Sequence, residues 1–340
     1  MVTDSNASET VALLGENESL RRTVSRLNVG DSAEVGPGDD CAVVTAPDGR
    51  FLVTTDTMVE GHDFRLDWSS WFDLGWKAVA TNVADVAAMG GRPTALVVAL
   101  IVPSDTEVAS LEAFADGLRE GCLALAPGAA VVGGDLAVGG SVVIAVTAHG
   151  ALEGREPVLR GGAKVGDVVA VAGTLGLAAC GLDLLRSGRA DLVSAWDDWV
   201  MVQRRPVPPV ALGAAAAEAG ATSMLDISDG LARDAARIAR ASNVVLSIQG
   251  SALFGFEARV EGAAQALANG DAAEATRLAR GWVLGGGEDH GLLATFPPTA
   301  TLPRGFKPIG SVGGPGSDGF SGVLLDGEPV AELGWDSVRG

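Results

Sequence analysis

Residues Trp71–Val102 read WFDLGWKAVATNVADVAAMGGRPTALVVALIV. The apolar positions Phe72, Leu74, Trp76, Val79, Val83, Val86 and Met89 mostly recur at three-to-four spacing, which predicts a helix with one face on a core. The pair Gly90-Gly91 stops it, and Ala95–Val102 follows as an unbroken apolar run of strand length. Working outward, a helix is expected over Ser104–Ala126, then strands at Ala130–Val132 and Val142–Ala148. Upstream, Phe51–Thr55 (FLVTT) has the β-branched content of a strand and ends on Asp56. Leu14–Leu27 fits a short amphipathic helix with Arg21, Arg22 and Arg26 on its wet side, preceded by a ten-residue polar tail.

Gly150–Arg160 (GALEGREPVLR) is polar and holds Pro157, and after it the strand–turn–helix pattern begins again. Strands are predicted at Val168–Ala172, Val244–Ile248, Leu292–Phe296, Pro308–Val312 and Gly322–Leu325, and Ser223–Ile227 is a short apolar run. Helices are predicted over Leu175–Leu185, near Leu212–Ala219 and from Ser228/Asp229 to about Ala241. Both halves mix strands with helices, so the expected class is α/β (α+β) in two domains, 1–150 and 151–340.

Composition narrows the function. The 340 residues carry 43 acidic against 24 basic side chains, a formal net charge of −19, which excludes a binder of the nucleic-acid backbone. Cys41, Cys122 and Cys180 lie far apart without the spacing of a zinc site, and fit a reduced interior. No apolar segment has the length of a membrane span, and the N-terminus lacks the basic and apolar regions of a secretory signal. A cytoplasmic protein is expected.

The chemistry lies in aspartates set among glycines and small residues at the ends of apolar strands. They are Asp39 and Asp40 in GPGDDC, Asp56 in TTDTMVEG, Asp85 in ATNVADVAAMGG, Asp135 in VVGGDLAVGG, Asp226 and Asp229 in LDISDGLARD, and Glu288 with Asp289 in LGGGEDHG. Carboxylates in apolar surroundings are costly unless paired or coordinated. With only three lysines in the chain (Lys77, Lys164, Lys307), hard divalent cations are the economical partners. Any one of these residues also fits ordinary turn chemistry, and Asp226 and Ser228 also fit helix N-caps. Asp85, inside a helix, has no propensity reason to be there. No GxxxxGK[ST] loop is present; Gly173, Gly176 and Gly181 in GTLGLAACG have the wrong spacing for a dinucleotide turn, and His62, His149 and His290 share no ligand spacing.

In this order, GDDC, TTDTMVEG, NVADVAAMGG, VGGDL, LRGGAKVGD, VAGTLGLAACGL, LDISDGLARD, GGGED and IGSV resemble the thiamine-monophosphate kinase family, from Gly36 to Trp335. The wider superfamily includes aminoimidazole ribonucleotide synthetase and selenophosphate synthetase. The resemblance implies ATP-dependent phosphorylation of thiamine monophosphate by direct transfer with several Mg²⁺ ions, and a homodimer whose N-terminal sheets pair into a barrel. It places Asp40, Thr54, Thr55, Asp56, Asp85, Asp135, Asp226 and Asp229 on metal positions. Arg160 and Ser228 fall on ATP contacts, Gly133, Gly134 and Asp135 on a loop beside the nucleotide phosphates, and Glu288 and Trp335 on the thiamine portion.

The departures concern the substrate end. His62 stands one place early, so that Asp63 takes the usual substrate-contact position; on an extended backbone that shift sends the imidazole to the other face. His290 and Gly291 replace a usual Tyr-Glu. Two other readings compete: another ATP-using member of the superfamily, and a catalytically silent homologue that binds nucleotide or thiamine phosphates.

Overall fold

In a computed structural model of the chain, the residues described are 9–28, 30–35, 43–316, 319–330 and 334–335. The elements run α1 (Val11–Val24), β1 (Ala33–Val35), β2 (Val43–Val44), β3 (Leu52–Val59), α2 (Trp71–Ala88), β4 (Arg92–Val102), α3 (Val108–Leu125), β5 (Ala130–Val138) and β6 (Val143–Ala151). They continue with β7 (Val168–Ala172), α4 (Leu177–Arg186), α5 (Ala190–Ala195), α6 (Asp197–Arg204), α7 (Ala211–Glu218), β8 (Ser223–Ile227) and α8 (Leu231–Ser242). Last come β9 (Val245–Ile248), α9 (Gly250–Leu267), α10 (Ala272–Gly285), β10 (Gly291–Phe296), β11 (Phe306–Gly313), β12 (Gly322–Leu325) and β13 (Glu328–Pro329). The mixed α/β class is as expected. The chain separates into two compact units, Met1–Asn82 with Pro93–Gly150, and Val83–Arg92 with Ala151–Gly340.

In the first unit the sheet order is β3-β6-β4-β5, with β3 antiparallel to β6 and β4 parallel to β5. One face is buried through Met58, Leu96, Val98, Leu100, Ile144, Val146 and Ala148. The N-terminus of α2 is closed by a capping box: the Ser70 N–H donates to the Asp73 carboxylate at 2.9 Å and the Asp73 N–H donates to Ser70 Oγ at 3.2 Å. Helices α2 and α3 cross at Gly75 and Gly117, where a Cβ would stand 2.1 Å from the Phe114 and the Phe72 carbonyl oxygens respectively. Because both obstacles are backbone, Gly75→Ala has to push the helices apart. It is expected to lower stability by about 2–3 kcal/mol in urea unfolding with an unchanged m-value; a loss below about 0.5 kcal/mol would show that the crossing opens freely.

Arg21 is exposed as expected and pairs with Glu18, whereas Arg22 and, just past α1, Arg26 turn towards α3. Arg22 donates to Glu112 at 2.5 Å and to Glu9 at 2.7 Å, and Arg26 donates to Asp116 at 2.7 Å. The acidic flank of α3 draws them in and ties α1 to it.

The second unit is built on a sheet of order β13-β12-β9-β11-β7-β10-β8, antiparallel throughout except for the parallel pair β12 and β9. Part of its core gathers Val158, Ala170, Ala172, Met224, Leu292, Ala294, Phe296 and Phe306, the last two rings meeting edge to face at 5.2 Å. Helices α5, α6, α9 and α10 were not expected from the sequence; α10 is capped by Asp271, which accepts the N–H groups of Ala273 and Glu274. Cys122 and Cys180 are buried thiols, each pushed up to about 12 by burial. No described helix is long and apolar enough to cross a membrane.

Candidate active site

In the first unit, two expected strand ends are strand interiors. β3 continues through Asp56 to Val59 because Asp56 is paired with Val146 of β6, and β5 continues through Gly133, Gly134 and Asp135 because Asp135 is paired with Ala99 of β4. Cross-strand pairing thus overrides the poor strand propensity of Gly and Asp, and the expected 133–135 loop is a strand. Gly134 is required there: a Cβ would lie 2.2 Å from the Val98 carbonyl oxygen.

Alternation along β3 separates the three residues of the TTD segment. Thr54 and Asp56 share the face of buried Met58, whereas Thr55 points to the exposed face and its hydroxyl donates to the Val146 carbonyl at 2.9 Å. Asp135 lies on that exposed face, opposite exposed Ala99. Asp56 and Asp135 therefore occupy opposite faces and opposite edge strands of the sheet. Next to β3, residues 61–63 form a turn and not an extended strand, so the face-switching expected of His62 does not apply. The Asp63 carboxylate accepts the Val59 N–H at 2.7 Å and locks this turn, while His62 is exposed. Asp40 lies outside the described residues.

In the second unit, several expected residues meet on one strip of backbone. The carbonyl of Ser228 accepts the Glu288 N–H at 2.8 Å, that of Asp229 accepts the Trp335 N–H at 3.0 Å, and that of Ile227 accepts the His290 N–H at 3.2 Å. Asp226 is buried at the end of β8, 3.0 Å from His290 Nδ1, and the carboxylate makes that nitrogen the donor. Asp229 pairs with Arg237 and stands 3.8 Å from Arg233 Nε. Neither Asp226 nor Ser228 caps α8. Instead Asp234, fully buried in the first turn of α8, reaches back and accepts the N–H groups of Asp229 and Gly230, each at 3.0 Å. Burial and the Asp226 charge push the Asp234 carboxyl up to about 7, against the pull of Arg237. Asp85 is half-buried on α2 between buried Ala84 and Val86. Arg160 is exposed; its carbonyl is held by the Ser223 and Ser242 hydroxyls at 2.7 and 3.1 Å, and its guanidinium pairs with no described residue.

The turn at Gly173–Gly176 is not a phosphate cradle. The N–H groups of Leu177 and Ala178 that open α4 already donate to Asp289, at 3.3 and 3.2 Å, and the Thr174 hydroxyl donates to it at 2.6 Å. Sequence reasoning missed Gln203, whose Nε2 donates to Glu288 Oε2 at 2.7 Å. No spacing signal links positions 85 residues apart. Among the described residues no three His, Cys, Asp or Glu side chains form a metal-holding group.

Residues 38–152 match the family described as AIR synthase related protein, N-terminal domain. A thiamine-monophosphate kinase of Mycobacterium tuberculosis is 42% identical over 339 residues, covering 97% of this chain and 93% of that protein. The structure of thiamine monophosphate kinase from Aquifex aeolicus superposes with a TM-score of 0.71 at 31% identity, covering 84% of this chain and 90% of that one. AaThiL complexed with AMPPCP and TMP gives a TM-score of 0.72 at 29% identity over 95% of this chain and 96% of that one. Identity of this order, sustained along nearly the whole of both sequences, means that the chain belongs to the thiamine-monophosphate kinase family.

Proposed function

We propose that the chain transfers the terminal phosphoryl group of ATP to the phosphate of thiamine monophosphate, giving thiamine diphosphate and ADP. The observation that carries this reading is the 42% identity to a thiamine-monophosphate kinase along 97% of the chain. An acceptor-phosphate oxygen forms the new bond to the γ-phosphorus as the bridge to ADP breaks. The acceptor is ionised near neutral pH, so no side chain has to remove a proton, and the protein's task is alignment and charge neutralisation.

The donor chemistry fits Mg²⁺: Thr54, Asp56, Asp85, Asp135 and Asp226 offer only hard oxygens, and Mg²⁺ takes one or two carboxylates with substrate phosphates and water completing its shell. When bound, it offsets the mutual repulsion of donor and acceptor phosphates. Asp40 keeps the same proposed role. Thr55, whose hydroxyl proton goes to the Val146 carbonyl while its oxygen keeps a lone pair, and Asp229, whose second carboxylate oxygen lies beside the one facing Arg237, keep that role too. Arg160 and Ser228 are assigned to the nucleotide, and Glu288 and Trp335 to the thiamine rings, with His62 the substrate contact of the turn that Asp63 locks. We further propose a homodimer through the first unit's sheet, whose edges are β3 and β5 and whose outer face exposes Val53 and Ile101.

Incubation with ATP, Mg²⁺ and thiamine monophosphate, with products separated by chromatography, tests the reading. Thiamine diphosphate and ADP are expected in equal amounts, and both are lost on adding EDTA. ATP that stays intact, or that is hydrolysed without thiamine diphosphate, refutes it.

A further inference from the structure

We infer that Gln203 is a positioning residue that sets substrate selectivity, by holding the Glu288 carboxylate as the acceptor for an N–H donor on the substrate's aromatic ring. The inference rests on the reading above, in which Glu288 meets the aminopyrimidine of thiamine monophosphate.

The backbone of Glu288 has one place to be. Its φ is +67°, its N–H is held by the Ser228 carbonyl, and the two residues after it are anchored elsewhere, Asp289 on the N-terminus of α4 and His290 on Asp226. The side chain is then set from α6. Gln203 is only 6% exposed and its Nε2 donates to Glu288 Oε2 at 2.7 Å; the reverse amide orientation would set oxygen against carboxylate. Gln203 is itself fixed because α6 lies directly on α4. A Cβ on Gly181 of α4 would stand 2.3 Å from the Trp199 carbonyl oxygen and 3.1 Å from Gln203 Cβ. Neighbouring residues 288 and 289 thus grip two helices that grip each other, and the carboxylate is oriented before any ligand arrives. A fixed carboxylate rewards an exocyclic amine and repels the lone pairs of an oxo group in its place. Without the Gln203 donor the carboxylate loses the hydrogen bond that orients Oε2, and with it affinity and discrimination.

The test is Gln203→Met, which keeps the volume and removes the donor. KM and kcat are measured for thiamine monophosphate, for its 4-oxo-pyrimidine analogue and for ATP, together with Tm. The expected result is a rise of about tenfold in KM for thiamine monophosphate and a fall of about tenfold in the amino-over-oxo preference. KM for ATP is expected to stay within about twofold, a split that loosened packing alone would not produce. Gln203→Glu retains the shape without the neutral donor and is expected to show the same split with a larger rise; it decides the matter if Gln203→Met fails to fold. Unchanged selectivity in a folded variant, or KM for ATP rising in parallel, overturns the inference and leaves the proposed activity standing. A wild-type protein that does not turn over thiamine monophosphate overturns both.

Discussion

Asp56→Asn and Asp135→Asn are each expected to lower kcat by about 10³-fold, or about 4 kcal/mol of transition-state stabilisation, with the fold intact. Each substitution keeps the shape of the side chain and removes a charge that a hard cation needs and an amide oxygen replaces poorly. Neither should cost the fold much. Asp135 is exposed on β5 and Asp56 is half-buried on β3, and both strands are held by backbone pairing that asparagine leaves untouched. Excess Mg²⁺ is expected to restore part of the rate. Steady-state kinetics with a circular-dichroism melt of each variant makes the check, and a folded variant turning over at the wild-type rate removes that residue from the metal assignment.

Asp289→Ala is expected to be the most damaging single change to stability in this region, about 3–5 kcal/mol. It removes the cap of α4 and leaves the buried N–H groups of Leu177 and Ala178 and the half-buried Thr174 hydroxyl without this acceptor. Burial holds the Asp289 carboxyl above the ordinary aspartate range, with the Thr174 hydroxyl and the α4 N–H groups offsetting part of that rise. A raised folded-state pKa means that this residue's contribution is fully present below its unfolded value of about 4 and is lost as pH rises through the folded value. Asp289→Asn, neutral at every pH, is therefore expected to cost less than Asp289→Ala and to flatten that decline. Urea unfolding at several pH values measures both effects. A cost below about 1 kcal/mol for the alanine variant would mean that water satisfies the helix end.

Legibility from sequence followed the range of the interaction. The helix predicted over Trp71–Met89 is α2, and the strands predicted at Val168–Ala172 and Gly322–Leu325 coincide with β7 and β12, because apolar periodicity and glycine stops act within a few residues. Ordered motifs along the chain were enough to indicate the family. What they could not convey was orientation. Thr54, Thr55 and Asp56 are adjacent letters, yet pairing with β6 turns the middle one to the other face and keeps Asp56 inside the strand.

The same distinction separates Glu288, Asp289 and His290, three consecutive side chains that reach Gln203, the N-terminus of α4 and Asp226. Their residue types were visible in the sequence; their partners lie 85, 111 and 64 positions away. Sequence alone determined the mixed α/β class, the chemical character of the carboxylates and the family. Tertiary structure decided which carboxylate caps a helix, which locks a turn, which answers an arginine and which is held in place by a buried amide. A side chain's type fixes what it is able to bind, but only long-range packing brings a partner within hydrogen-bond distance.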